Sequence, residues 1–120
     1  MPGRTRSRLL VLPVLFLAAT FAHADDLAKA SQSYKQRGDY ASLRVITRHL
    51  AKGMSMREVE GLLGKADYSP TEGQYYYGSD RSEYVKEAER EIGITLVLEF
   101  RSGGTLTGRL ESWWLGPVGE

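Results

Sequence analysis

Few side chains in this 120-residue sequence are of a type and spacing that could carry chemistry. Nucleophilic catalysis needs a base within hydrogen-bond reach of a Ser or Thr, and a metal site needs several convergent ligands. The sequence has no H-E-x-x-H, no G-x-S-x-G, no carboxylate cluster and no cysteine, and His49 is the only histidine beyond residue 24. His49 follows Arg48 late in a helical pattern, where a cationic side chain suits the helix C-terminus. A hydrolase would have to gather His49 with an acid and a hydroxyl in one pocket. No catalytic residue, cofactor or metal is therefore expected. Arg37-Gly38-Asp39 spells an adhesion tripeptide, but a glycine helix stop followed by an aspartate helix cap accounts for it. Gly103 and Gly104 lie between two strand patterns, which suits a turn and not a phosphate loop.

What remains is a set of aromatics: Tyr75, Tyr76, Tyr77, Trp113 and Trp114. Adjacent residues on a strand point to opposite faces, so these rings cannot all enter one core. Alternation from Leu110 places Trp114 in the core and Trp113 outward with Arg109 and Glu111. Exposed Trp and Tyr beside Arg are enriched at binding hot spots. Tyr76, Arg109 and Trp113 are accordingly the expected protein-binding surface, with coverage by the N-terminal helix or the C-terminal tail as the competing account.

The elements that must position these residues can be read from periodicity and stop signals. DDLAKASQSYKQRG reads as a helix ended by Gly38, and DYASLRVITRHLAKG as a second, capped by Asp39, with Leu43, Ile46 and Leu50 on one face and Gly53 as its stop. Strands begin after Pro70, first around Tyr75–Tyr77. The run DRSEYVKEAEREIG is expected to be a marginal helix or a mobile loop, because its pairs Glu83/Glu87, Lys86/Arg90 and Glu87/Glu91 are like-charged. Two further strands put Ile92, Ile94, Leu96, Leu98 and Phe100 on one face, and Leu106, Leu110 and Trp114 on one face. A three-residue loop, Ser102-Gly103-Gly104, pairs Phe100 with Leu106 and brings both sets to one core; a two-residue loop would separate them. The expected architecture is a two-layer α+β domain, N-terminal helices on one face of a three-stranded antiparallel sheet.

The firmest local signal is a short third helix in GMSMREVEGLLG. Ser55 and Glu58 form a capping box, Met54 and Val59 stand at staple positions, and Val59, Leu62 and Leu63 make the apolar face before the Gly64 stop. This segment, KGMSMREVEGLLGKAD, resembles the G-M-[ST]-x-x-E-V-x-x-L-L-G-x-P-[DE] signature of the SmpA/OmlA, or BamE-like, family. The match runs through Gly53, Met54, Ser55, Glu58, Val59, Leu62, Leu63, Gly64 and Asp67, with Ala66 at the proline position. The resemblance covers about residues 40–116. It implies helices followed by a three-stranded sheet, and a binding module instead of an enzyme. The family's type member is an outer-membrane lipoprotein of β-barrel assembly; the lipid-bearing cysteine is missing from this chain.

Residues 1–24 have the parts of an export signal: Arg4, Arg6 and Arg8, an apolar run from Leu9, and Ala22 and Ala24 as an A-x-A exit before Asp25. The uninterrupted run falls short of the ~20 residues a spanning helix needs and is broken by Pro13. Removing it leaves 13 basic and 15 acidic residues, a balance that excludes an electrostatic nucleic-acid binder. The expected organisation is a signal peptide at 1–24, a helical extension at 25–38 and the BamE-like domain at 39–120. The protein is then periplasmic, without a covalent lipid anchor, and binds another envelope protein, which leaves room for peripheral association with the outer membrane. An inhibitor of a secreted enzyme, or a carrier of a small hydrophobic molecule in the groove between helices and sheet, is the alternative.

Overall fold

The computed structural model describes residues 24–119. The export segment therefore lies outside the described residues apart from Ala24, and so does Glu120. Three helices, α1 (24–37), α2 (Tyr40–Arg48) and α3 (Met56–Leu63), precede six strands. β1 (Tyr68–Thr71), β2 (Gln74–Val85), β3 (Arg90–Glu99) and β6 (Ser112–Pro117) form an antiparallel sheet in the order β1-β2-β3-β6, while β4 (Arg101–Ser102) and β5 (Thr105–Leu106) make a separate ribbon. Helices cover one sheet face, so the two-layer α+β arrangement holds, with four strands in the main sheet where three were expected. The additional strand contains Pro70, which lacks a backbone donor and is tolerated at the sheet edge that β1 occupies.

Each helix is delimited by local chemistry. Asp39 caps α2, accepting from the Ser42 backbone N–H at 3.1 Å, and also accepts from Ser33 Oγ at 2.8 Å. The aspartate of the adhesion-like tripeptide is thus engaged as a cap, and Gly38 takes the positive φ of the corner. In α3 the Ser55–Glu58 capping box forms in both directions, and Gly64 (φ 78°) ends the helix as a C-cap. α2 ends at Arg48, well short of Gly53: the His49 and Leu50 amides turn back to the Ile46 and Thr47 carbonyls, and this tighter turn carries Leu50 into the core.

Leu43, Ile46, Val59, Tyr77, Leu96, Leu98 and Leu110 are fully buried. The segment expected to be a helical extension supplies Ala30 and Tyr34 to the same core, and Ser31 Oγ ties it to α3 through the Leu62 carbonyl at 2.7 Å. Tyr34 and Tyr77 donate their hydroxyls to the Gly78 and Gly64 carbonyls at 2.6 and 2.8 Å. Burial, followed by the nearby Asp67 carboxylate in Tyr34 and by Glu60 and Asp67 in Tyr77, pushes both phenols above their ordinary range.

Two strand expectations are corrected. Residues 79–91 are neither helix nor loop: they complete β2, turn through Lys86–Glu89 and begin β3, with Glu83 opposite Ile92 and Val85 opposite Arg90. The like-charged pairs that oppose a helix fall at other spacings in a hairpin. The Gly103-Gly104 turn is the two-residue one, since Arg101 opposes Leu106 and Ser102 opposes Thr105. Leu106 is consequently 46% exposed.

Candidate functional site

The same turn decides which tryptophan faces the core. Leu106 opposes Arg101, yet Ser112 already opposes Glu99, so residues 107–111 leave the sheet as an excursion. The excursion is stitched to the α2–α3 corner: Gly53 N–H donates to the Leu110 carbonyl and Leu110 N–H to the Met54 carbonyl, each at 2.8 Å. This lets Leu110 reach the core independently of the strand that follows. Glu111 N–H then rejoins the Glu99 carbonyl at 2.8 Å, and β6 pairs Trp113 with Leu98, Trp114 with Val97 and Leu115 with Leu96. Leu96 and Leu98 point inward, so Trp113 and Leu115 do too, and both pack against the core. The expected orientations are reversed: Trp113 is the inward ring, and Trp114, 52% exposed, is the outward one.

The three residues expected to share a surface are therefore not brought together. Tyr76 is on the outer face, Trp113 on the inner, and Arg109 sits in the excursion, donating to the Gly53 carbonyl at 3.1 Å. A different set meets. Tyr68 opposes Tyr76, Tyr76 opposes Val97, and Val97 opposes Trp114, one continuous row across all four strands. With strands about 4.8 Å apart, the row is roughly 14 Å long. The Tyr68 and Tyr76 rings meet edge to face at 5.7 Å. The Trp114 indole lies along its own strand, so that a β-carbon built on Gly116 would fall 2.6 Å from Trp114 Cζ2. Tyr68 is 53% exposed, and Tyr76 and Val97 are partly so.

Polar groups frame the row. Gln74 and Ser112 flank Glu99 on one side, with Gln74 Nε2 donating to Glu99 Oε2 at 3.2 Å and Arg101 Nε paired to Glu99 Oε1. Asp67, next to Tyr68, accepts the Gly78 N–H at 2.7 Å and donates its own N–H to the Tyr76 carbonyl. Tyr75 and Tyr77 take the inner face, Tyr75 edge to face with Phe100 at 5.5 Å and Tyr77 fully buried. Sequence composition signals an aromatic face; the cross-strand register that selects Tyr68 and Trp114 has no local signal.

Other candidates stand apart. His49 is exposed and its Nδ1 lies 2.9 Å from the Val45 carbonyl. Among the described residues no group of three His, Cys, Asp or Glu side chains is placed to hold a metal, and no helix is long and apolar enough to cross a membrane. The core between helices and sheet is packed by the buried side chains named above, and beside it a smaller depression is lined by Tyr34, Leu63, Gly64, Asp67 and Gly78; an apolar depression open to solvent lies between α1 and α3, lined by Leu27, Ala28, Ser31, Gly61 and Leu62. Comparison of the chain with family models, with curated proteins and with solved structures returned no match.

Proposed function

We propose that this chain is an exported protein-interaction module of the SmpA/OmlA type, which binds another envelope protein through the outer face of its sheet. The observation that carries the reading is the Tyr68–Tyr76–Val97–Trp114 row, left open among the described residues while the opposite face holds the core. Two half-exposed aromatics in one line supply large, stiff contact area of the kind that dominates binding energy. The third-helix motif from Gly53 to Gly64 supports the family likeness through its residues and its capping geometry. Release of the domain into the periplasm, and a role in envelope assembly, rest on the leader sequence and on that likeness.

The test is in-cell photocrosslinking with the probe placed at Trp114 or Tyr76, against a control probe at Arg48 on the helix layer. The expected result is a discrete adduct from the sheet-face positions that is lost on Trp114→Ala when the probe is at Tyr76. An adduct as strong from Arg48, or none from the sheet face, would overturn the surface. Copurification of a small hydrophobic molecule, or inhibition of a secreted enzyme without sheet-face crosslinks, would favour the alternative.

A further inference from the structure

Charge is divided between the two layers. Residues 24–66, the helices and their connections, carry eight basic and five acidic side chains; residues 67–119, the sheet and its turns, carry five and nine. Three of the four arginines of the sheet half are engaged. Arg101 is paired with Glu99, Arg81 stacks over the Tyr40 ring on the helix side at 4.8 Å, and Arg109 donates to the Gly53 carbonyl. The row is framed on one side by the Asp67 carboxylate and on the other by the Glu99–Arg101 pair, and no described cation stacks on Tyr68, Tyr76 or Trp114.

Exposed aromatic faces draw cations through the ring quadrupole, and adjacent carboxylates add to the attraction and accept the cation's hydrogen bonds. Resting on the sheet-face reading above, we infer that the segment docked on this row is an extended, arginine-bearing stretch of the partner. Its guanidinium groups lie on the Trp114 and Tyr68 rings and its N–H groups reach Asp67. Guanidinium is favoured over ammonium because its planar group stacks and still donates in plane, whereas a lysine brings only a compact, strongly hydrated charge.

The probes are three fluorescein-labelled decapeptides of alternating sequence, Arg-Ser, Lys-Ser and Glu-Ser, titrated with the purified mature protein by anisotropy. The Arg-Ser peptide is expected to bind about tenfold more tightly than Lys-Ser, with no measurable binding of Glu-Ser. Trp114→Ala should weaken Arg-Ser binding about tenfold while Trp114→Phe stays within about threefold of the parent, and Asp67→Asn should weaken it several-fold. Circular dichroism of each variant establishes that it is folded. Equal binding of Glu-Ser, equal binding of Lys-Ser, Arg-Ser binding indifferent to Trp114→Ala, or no Arg-Ser binding each overturns the arginine assignment. If any of these occurs while the Tyr76 crosslink persists in cells and still depends on Trp114, the sheet face remains the interface and only the class of its partner falls.

Discussion

Replacing the two tryptophans one at a time separates the observed register from the one alternation suggests. Trp113 opposes fully buried Leu98 and packs against the core, whereas Trp114 opposes Val97 and is 52% exposed. Truncating a core aromatic to alanine costs about 3–5 kcal/mol; partial burial puts Trp113→Ala near the lower end, about 3 kcal/mol. Trp114 loses its contact along β6 over Gly116 and little else, about 1 kcal/mol. For a domain of this size an m-value of about 1.5 kcal/mol/M in urea converts these to midpoint shifts of about 2 M and under 1 M. Urea titration followed by far-ultraviolet circular dichroism measures both. A second readout is independent of stability: with only these two tryptophans, Trp113→Phe leaves an emitter that is red-shifted and readily quenched by acrylamide, and Trp114→Phe leaves a blue-shifted, protected one. If Trp114→Ala proves the more damaging and its ring the more protected, the two-residue turn and the excursion are wrong.

Further outcomes follow from the same geometry. Ser55→Ala removes one half of the capping box and should lower stability by about 1 kcal/mol in urea titration. Gly73→Ala should cost more than about 1 kcal/mol, because Gly73 has φ 88° and an added β-carbon would fall 2.6 Å from Leu106 Cδ2 and 2.8 Å from Arg101 Cγ. Tyr34 and Tyr77 have folded-state pKa values raised above the ordinary 10.0. Their contribution is therefore complete below about pH 10 and is lost as pH rises beyond it, since the unfolded chain then ionises first. The melting temperature should fall steeply above pH 10, and Tyr77→Phe should flatten that fall while lowering stability at pH 7 by about 1–2 kcal/mol through the orphaned Gly64 carbonyl.

Some of this fold is written locally and some is not. The third helix was legible because Ser55, Glu58 and Gly64 do their work within a few residues of one another. Strand β3 was legible because its inward residues, Ile92 to Leu98, alternate without a break and are all buried, although only Leu96 and Leu98 join the central core. The 79–91 hairpin was half legible: charge repulsion argued against a helix, but nothing local identified a four-residue turn with Glu89 at φ 54°. Strand β6 was not legible. Its Trp113-Trp114-Leu115 run is apolar on both faces, so the pattern does not set register; the Gly103-Gly104 turn and the main-chain bonds from Gly53 and Met54 do. The candidate site inherits that division. The aromatic content of the face was apparent in the sequence, but its membership changed from Trp113 and Arg109 to Trp114 and Tyr68 once pairing across four strands was known.

The stitching of residues 107–111 to the α2–α3 corner bears on the order in which the molecule assembles. Residues 109–110 meet residues 53–55, more than fifty positions earlier in the chain, and β6 follows directly, so a β6 that settles in register only once these contacts exist waits on the first half. Such a closure raises contact order and slows the final step. If those contacts form after the rate-limiting barrier, loosening the corner will quicken unfolding more than it delays folding. The aromatic row is then the last feature of the molecule to be completed, and a chain halted before that stage presents a three-stranded sheet with an open edge and no Trp114 in place.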